Sequence, residues 1–238
     1  MDIRPGYAHH GDIELHYEDL GNTDDPAVLL IMGLGAQLVL WHEEFCQKLL
    51  DRGYRVIRFD NRDVGLSSKL HGQRHDGALV PRLLRSFLGL SSPSVYRLED
   101  MADDAAALLD HLGVERAHVV GASMGGMIAQ IFAARNPQRT GGLGIIFSSN
   151  NTPLLPPPAP KALLSLIKGP PPNSPREVIV ENSIRVSRII GSPGYPKSDE
   201  RLRADAIEAY ERAYYPQDRK STRLNSSHTA TSRMPSSA

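Results

Sequence analysis

The chain has 238 residues, enough for one large domain or two small ones. Its composition, 40% apolar and 23% charged, is that of an ordinary globular protein, which excludes a fibrous or wholly disordered chain. Lys plus Arg number 27 and Asp plus Glu number 27, so no net field attracts nucleic acid or an anionic membrane surface, and neither is expected as a partner.

The N-terminus, MDIRPGYAHHGDIE, lacks the basic start and apolar run of a secretory signal. Residues 13–17 (IELHY) alternate apolar and polar after a turn at Gly11, which predicts a half-exposed strand paired with residues 4–9. AVLLIM (27–32) is a continuous apolar run, the pattern of a strand buried on both faces. The apolar stretch 27–41 is broken by Gly33, Gly35 and Gln37 and is too short to span a bilayer, so a cytoplasmic location is expected. WHEEFCQKLLDRG predicts a helix closed by Gly53, with the single cysteine, Cys46, as a small buried side chain. YRVIRFD (54–60) predicts a second buried strand. Residues 68–96 form an irregular excursion in which RLLRSFLGL (82–90) is a candidate short helix. LEDMADDAAALLDHLG (98–113) has helical spacing, RAHVVG (116–121) a third buried strand, MGGMIAQIFAARNP a helix with Met124, Met127, Ile128, Ile131 and Phe132 on one stripe, and GLGIIFSS (142–149) a fourth strand. This alternation predicts an α/β fold: a doubly wound, mostly parallel sheet with helices on both faces.

After Asn150 the composition changes. PLLPPPAP and GPPPNSPR punctuate three amphipathic segments, KALLSLIK, REVIVENSIRVSRII and ERLRADAIEAYERAYY, and residues 151–217 are expected to form a helical lid over a core of residues 1–150. Residues 218–238, rich in Ser, Thr and Arg without aliphatic periodicity, are expected to be disordered. DRKSTRLNSSH also back-translates to a stretch similar to a common sequencing-library adapter, which makes this tail an expected non-native scar.

The chemistry centres on Gly121-Ala122-Ser123-Met124-Gly125, a G-x-S-x-G pattern between a buried strand and a helix. That is the setting of a nucleophile elbow: the turn is so tight that its flanking positions must be small, and the serine stands at a helix N-terminus that favours developing negative charge. A serine cap with glycines for close packing is the plainer alternative. The loop after the first buried strand, MGLGAQ (32–37), supplies the second element. A tetrahedral intermediate needs two preorganised N–H donors, and the expected pair is the amides of Leu34, between Gly33 and Gly35, and of Met124. No phosphate-binding loop, paired cysteines or basic patch is present; no metal or cofactor is expected, and nothing sets the oligomeric state.

The MGLG loop, the D-x-R-D-x-G-x-S run in RFDNRDVGLS (58–67) and the GASMGG elbow, in that order, resemble the α/β-hydrolase superfamily over residues 8–150. VIRFDNRDVGLS with AHVVGASMGGMIAQ is similar to bacterial esterases of the aclacinomycin methylesterase type. The resemblance implies attack by Ser123 on a carbonyl, a histidine that takes its proton, and an acid that orients the histidine, in the chain order Ser, acid, His. Asp60, Arg62 and Asp63 are then a structural charge and capping network at the site entrance. The only histidine after Ser123 is His228, and the strand 142–149 ends in Ser148-Ser149-Asn150-Asn151 without a carboxylate. The expectation is therefore a serine hydrolase of a small or medium apolar ester whose C-terminal part, with its acid and base, is missing, leaving this chain inactive and its last strand an exposed edge. Alternatives are a non-catalytic small-ligand-binding protein of the same fold, or a perhydrolase, acyltransferase or C–C hydrolase.

Overall fold

The computed structural model describes residues 2–70, 95–150, 159–167, 169–171 and 174–213. They fall in two compact units, Met1–Pro157 and Pro158–Ala238. The candidate short helix at 82–90 and the expected disordered tail at 218–238 lie outside the described residues.

The first unit is built on a six-stranded sheet of order β1-β2-β4-β3-β5-β6. β1 (Ile3–His10) and β2 (Ile13–Leu20) form an antiparallel hairpin turned at Gly11, where φ is +58°. β2 runs antiparallel to β4 (Arg55–Phe59), while β3 (Ala27–Ile31), β4, β5 (Ala117–Ala122) and β6 (Thr140–Ile146) are parallel. The crossovers that parallel strands require carry α1 (Glu43–Leu50), α2 (Leu98–His111) and α3 (Met124–Arg135).

Every residue of β3 and β4 is buried, because helices cover both faces of the sheet centre. The two-residue period divides their side chains. Leu29, Ile31, Ile57, Phe59 and Val119 pack with Leu108, Ile128 and Phe132 of α2 and α3. Val28, Leu30, Val56 and Ala122 pack with Trp41 and Cys46 on the other face. β4 also buries two guanidinium groups, each held by β2: Arg55 donates to both carboxylate oxygens of Asp19 at 2.8 and 3.1 Å, and Arg58 donates to Glu18 at 2.8 Å. Their hydrogen-bonded pairing offsets part of the desolvation cost of burying these charges.

Two boundaries and one buried face differ from what the sequence predicts. α1 starts at Glu43, because Leu38–Leu40 close a separate 3₁₀ turn ahead of it. On α3 the buried set is Gly125, Gly126, Ile128, Ala129 and Phe132, with Met124, Met127 and Ile131 only partly buried, because the helix lies on both β3 and β5 through its glycine side. β6 covers 140–146 rather than 142–149. It stops where Phe147 turns to φ +37°, and it is not buried on both faces: among the described residues β5 is its only partner, and Leu143 and Ile145 are half exposed.

The second unit contains α4 (Pro160–Ile167), α5 (Arg176–Ile190) and α6 (Asp199–Ala213). α5 and α6 share an apolar seam of Val180, Ile184, Leu202, Ala206 and Tyr210, at helical spacing on both elements. Among the described residues no helix is long and apolar enough to cross a membrane.

Candidate active site

Ser123 is the single residue between β5 and α3. Its backbone is at φ +54°, ψ −125°, a region that costs a non-glycine residue about 1–3 kcal/mol and that persists only where the surroundings enforce it. The enforcement is visible. The Ser123 N–H donates to Ile146 O at 3.0 Å, and its carbonyl accepts from Ser148 Oγ at 2.6 Å and from Gly126 N at 2.9 Å. The serine itself is exposed.

The glycines explain how a helix can start this close to the sheet. A Cβ on Gly121 would lie 2.1 Å from the Gly125 carbonyl oxygen, and one on Gly125 would lie 2.1 Å from the Ile31 carbonyl oxygen. A Cβ on Gly126 would lie 2.5 Å from that of Ser148. Gly121 and Gly125 are thus dictated by close approach of backbone, and Gly126 by the Ser148 side chain.

The 32–37 loop reaches the same point from β3. A Cβ on Gly33 would sit 3.0 Å from Ser123 Cβ and 3.3 Å from its Oγ, so the loop passes directly beside the serine. The Ala36 N–H closes a turn on Gly33 O at 3.2 Å, Gly35 takes φ +64°, and Leu34 is left 65% exposed at the tip. Among the described residues neither the Leu34 amide nor the Met124 amide has a hydrogen-bond partner. The Met124 N–H is one of the first-turn donors that any helix leaves free. The two expected donors are thus the residue after Gly33, which lies against Ser123, and the residue after Ser123 itself, neither amide being used within the described residues.

The run after β4 fixes this loop. Asp60 is fully buried; its Oδ1 accepts from Leu38 N at 2.8 Å and its Oδ2 from Leu66 N at 2.9 Å. Gly65 is required because a Cβ there would lie 2.1 Å from Asp60 Oδ2. Asn61 donates from Nδ2 to Met32 O at 2.8 Å. The two ends of the candidate oxyanion loop are thus tied by adjacent side chains. The sequence reading placed Asp60 in a charge network and passed over Asn61; the available signal was two polar residues directly after a strand too buried to leave them unpaired. Arg62 anchors the run to α2 through Asp104, donating at 2.6 and 2.7 Å, and His10 Nδ1 lies 2.8 Å from the same carboxylate. Burial works against the Arg62 charge, but the hydrogen bonds and charge of Asp104 outweigh it and push its pKa up. Tyr96, under the Arg62 guanidinium at 5.3 Å, is pushed up to about 12 by burial and by Asp63. Cys46 is buried, and that burial pushes its thiol up, away from reactivity.

No described histidine is hydrogen-bonded to Ser123. His118 lies five residues before it on β5, roughly 16 Å away at strand rise, with its ring edge-on to Tyr54. The His10–Asp104 pair looks like a catalytic dyad, but β1 is four strands from β5 in the sheet order, roughly 19 Å at the usual strand spacing. Among the described residues no group of three or more His, Cys, Asp and Glu is arranged to hold a metal ion.

The family model of the alpha/beta hydrolase fold matches residues 26–193. The chain belongs to the α/β-hydrolase family. Rhodomycin D methylesterase from Streptomyces sp. (strain C5) is 30% identical over 216 residues, covering 83% of this chain and 66% of that protein. The 3-oxoadipate enol-lactonase 2 of Acinetobacter baylyi is 30% identical over 128 residues, 54% of this chain and 39% of that one. A solved carboxylesterase structure from Nitrososphaera gargenis superposes with TM-score 0.56 at 20% identity, over 87% of this chain and 67% of the other, which supports the fold. This α/β-hydrolase chain thus spans just under two thirds of the length of the methylesterase it matches.

Proposed function

We propose that this chain carries the nucleophile and oxyanion half of a serine hydrolase acting on carboxylic esters of small or medium apolar molecules. The observation that carries the reading is the placement of Ser123: strained, exposed, at the start of α3, with the glycine loop after β3 against its Cβ and Oγ. Ser123 Oγ attacks the ester carbonyl carbon, the carbonyl oxygen takes the electron pair and is received by the Leu34 and Met124 amides, and the alcohol leaves with the serine's proton, giving an acyl-enzyme that water hydrolyses. The names of the methylesterase and enol-lactonase relatives support the ester reading.

The proton must pass through a base. Ser148, Ser149 and Asn150 offer no carboxylate after β6, and His228 is the only histidine after Ser123 in the sequence. In this reading the acid and base come from sequence other than these 238 residues, and the chain alone does not turn over. The same observation favours one rival, a protein that binds a small ligand at the elbow without catalysis. The test compares p-nitrophenyl ester hydrolysis by this chain, by the product of the uninterrupted reading frame, and by its Ser123→Ala variant. Turnover only by the uninterrupted product, lost with Ser123, supports the proposal; turnover that survives Ser123→Ala, or none from any form, sinks it.

A further inference from the structure

We propose that Phe147 is the substrate-contact residue that sets specificity at this site, and that the ester it selects carries an aromatic ring in its apolar part. This rests on the ester-hydrolase reading of Ser123. Three observations carry it. First, Phe147 is 79% exposed, the most exposed large apolar side chain among the described residues of the first unit. Second, its φ of +37° places a bulky residue in a backbone region that such residues rarely enter and that clusters at functional sites; in the first unit the other non-glycine residues described there are Asp63, in the run below the loop, and Ser123 itself. Third, the corner that bears it is fastened to the nucleophile. The residue before Phe147 accepts the Ser123 N–H at 3.0 Å, the residue after it donates to the Ser123 carbonyl at 2.6 Å, and Gln130 of α3 donates to Ser149 O at 2.9 Å.

Edge exposure alone does not account for this. Leu143 and Ile145 are exposed because β6 has one partner, yet each still covers more than half its surface. Phe147 has left the strand, and the residues on either side of it, Ile146 and Ser148, are hydrogen-bonded to the two polar backbone atoms of Ser123. On the other flank of β5, the β3 loop presents Leu34, 65% exposed. Ser123, at the end of β5, thus lies between the β3 loop, which carries an exposed aliphatic residue, and the β6 corner, which carries an exposed aromatic one. An aromatic group on the substrate gains ring-on-ring attraction at Phe147 beyond area burial, about two- to tenfold in affinity.

The test uses the full chain with Ser123→Ala, so that turnover does not enter the readout, and two esters of equal bulk, methyl phenylacetate and methyl cyclohexylacetate, with binding followed by ligand-observed NMR. The aromatic ester is expected to bind about two- to tenfold more tightly. Phe147→Leu brings that ratio to about one, and Phe147→Tyr keeps it. Phe147→Gly, which relieves the backbone, leaves the melting temperature unchanged or higher. An aromatic preference that survives in Phe147→Leu, no preference in the parent chain, or a lowered melting temperature for Phe147→Gly overturns the assignment. Ser123-dependent ester turnover with no Phe147-dependent preference defeats this inference alone, whereas a Phe147-dependent preference without Ser123-dependent turnover defeats the hydrolase reading alone.

Discussion

Replacing Gly125 by alanine tests whether the elbow is dictated by backbone approach. The added Cβ would lie 2.1 Å from the Ile31 carbonyl oxygen and 2.7 Å from that of Met32. An ordinary contact is about 3.5 Å, so α3 and β3 must separate by about 1 Å or more. The obstacle is main chain in a fully buried strand, which cannot swing aside. Overpacking of this kind costs about 3 kcal/mol, the upper part of the usual range, while alanine returns about 1 kcal/mol of helix propensity. The net loss of about 2 kcal/mol lowers the melting temperature of a unit this size by about 4–8 °C. Thermal and urea unfolding followed by circular dichroism measure it. Gly126→Ala is the control on the same turn: its Cβ meets the Ser148 side chain at 2.5 Å, which can yield, and the drop is smaller. A Gly125→Ala chain that melts at or above the parent refutes the close-approach argument.

Other consequences follow from the same geometry. Ser123→Gly relieves the φ of +54° and should be more stable than Ser123→Ala by about 1 kcal/mol, as read from urea midpoints; equal midpoints mean the serine is unstrained. Asp104→Ala leaves Arg62 buried and unpaired, at a loss of about 3–5 kcal/mol, whereas Arg62→Met with Asp104→Leu loses clearly less; equal losses would show that the pair is not what holds the two elements. Tyr96 stays protonated in the fold up to about 12, so the folded chain binds more protons than the unfolded one between about pH 10 and 12, and stability falls as pH rises through that window. Absorbance titration should show one late phenol that Tyr96→Phe removes. Ile145→Lys, on the uncharged β6 edge, is expected to reduce concentration-dependent association in sedimentation velocity; unchanged association means the edge is not the sticking surface.

The parallel core was legible because its signals are local. AVLLI, RVIRF and AHVVGA are short apolar runs bounded by turns, and burial on both faces needs nothing else to be known. The elbow was legible because only glycine fits where Gly121 meets Gly125 O and Gly125 meets Ile31 O. What escaped were relations between distant segments. Asp60 and Asn61 hold the loop of residues 32–38 across 22 and 29 positions of sequence, and no periodicity records such a bond. The partners that let Arg55 and Arg58 be buried in β4, Asp19 and Glu18, come from β2, 36 and 40 positions away in sequence. Phe147 looked like one more apolar residue of a strand, because a positive φ in a bulky side chain leaves no trace in composition.

These long-range ties bear on how much of the site stands without its base. Ser123 is positioned by main-chain atoms of Ile146 and Gly126 and by Ser148; the loop beside it is positioned by Asp60 and Asn61; and the run bearing those two is anchored to α2 by Arg62 and Asp104. None of these contacts involves a residue beyond 150. A histidine that accepted the Ser123 proton would add one hydrogen bond to a geometry already over-determined by the rest. Removing it deletes the proton transfer and leaves the strain, the free amides and the flanking Leu34 and Phe147 in place. On the proposed reading binding and chemistry are separable, because the groups assigned to the ester follow the ends of β3, β5 and β6, while the base comes from elsewhere.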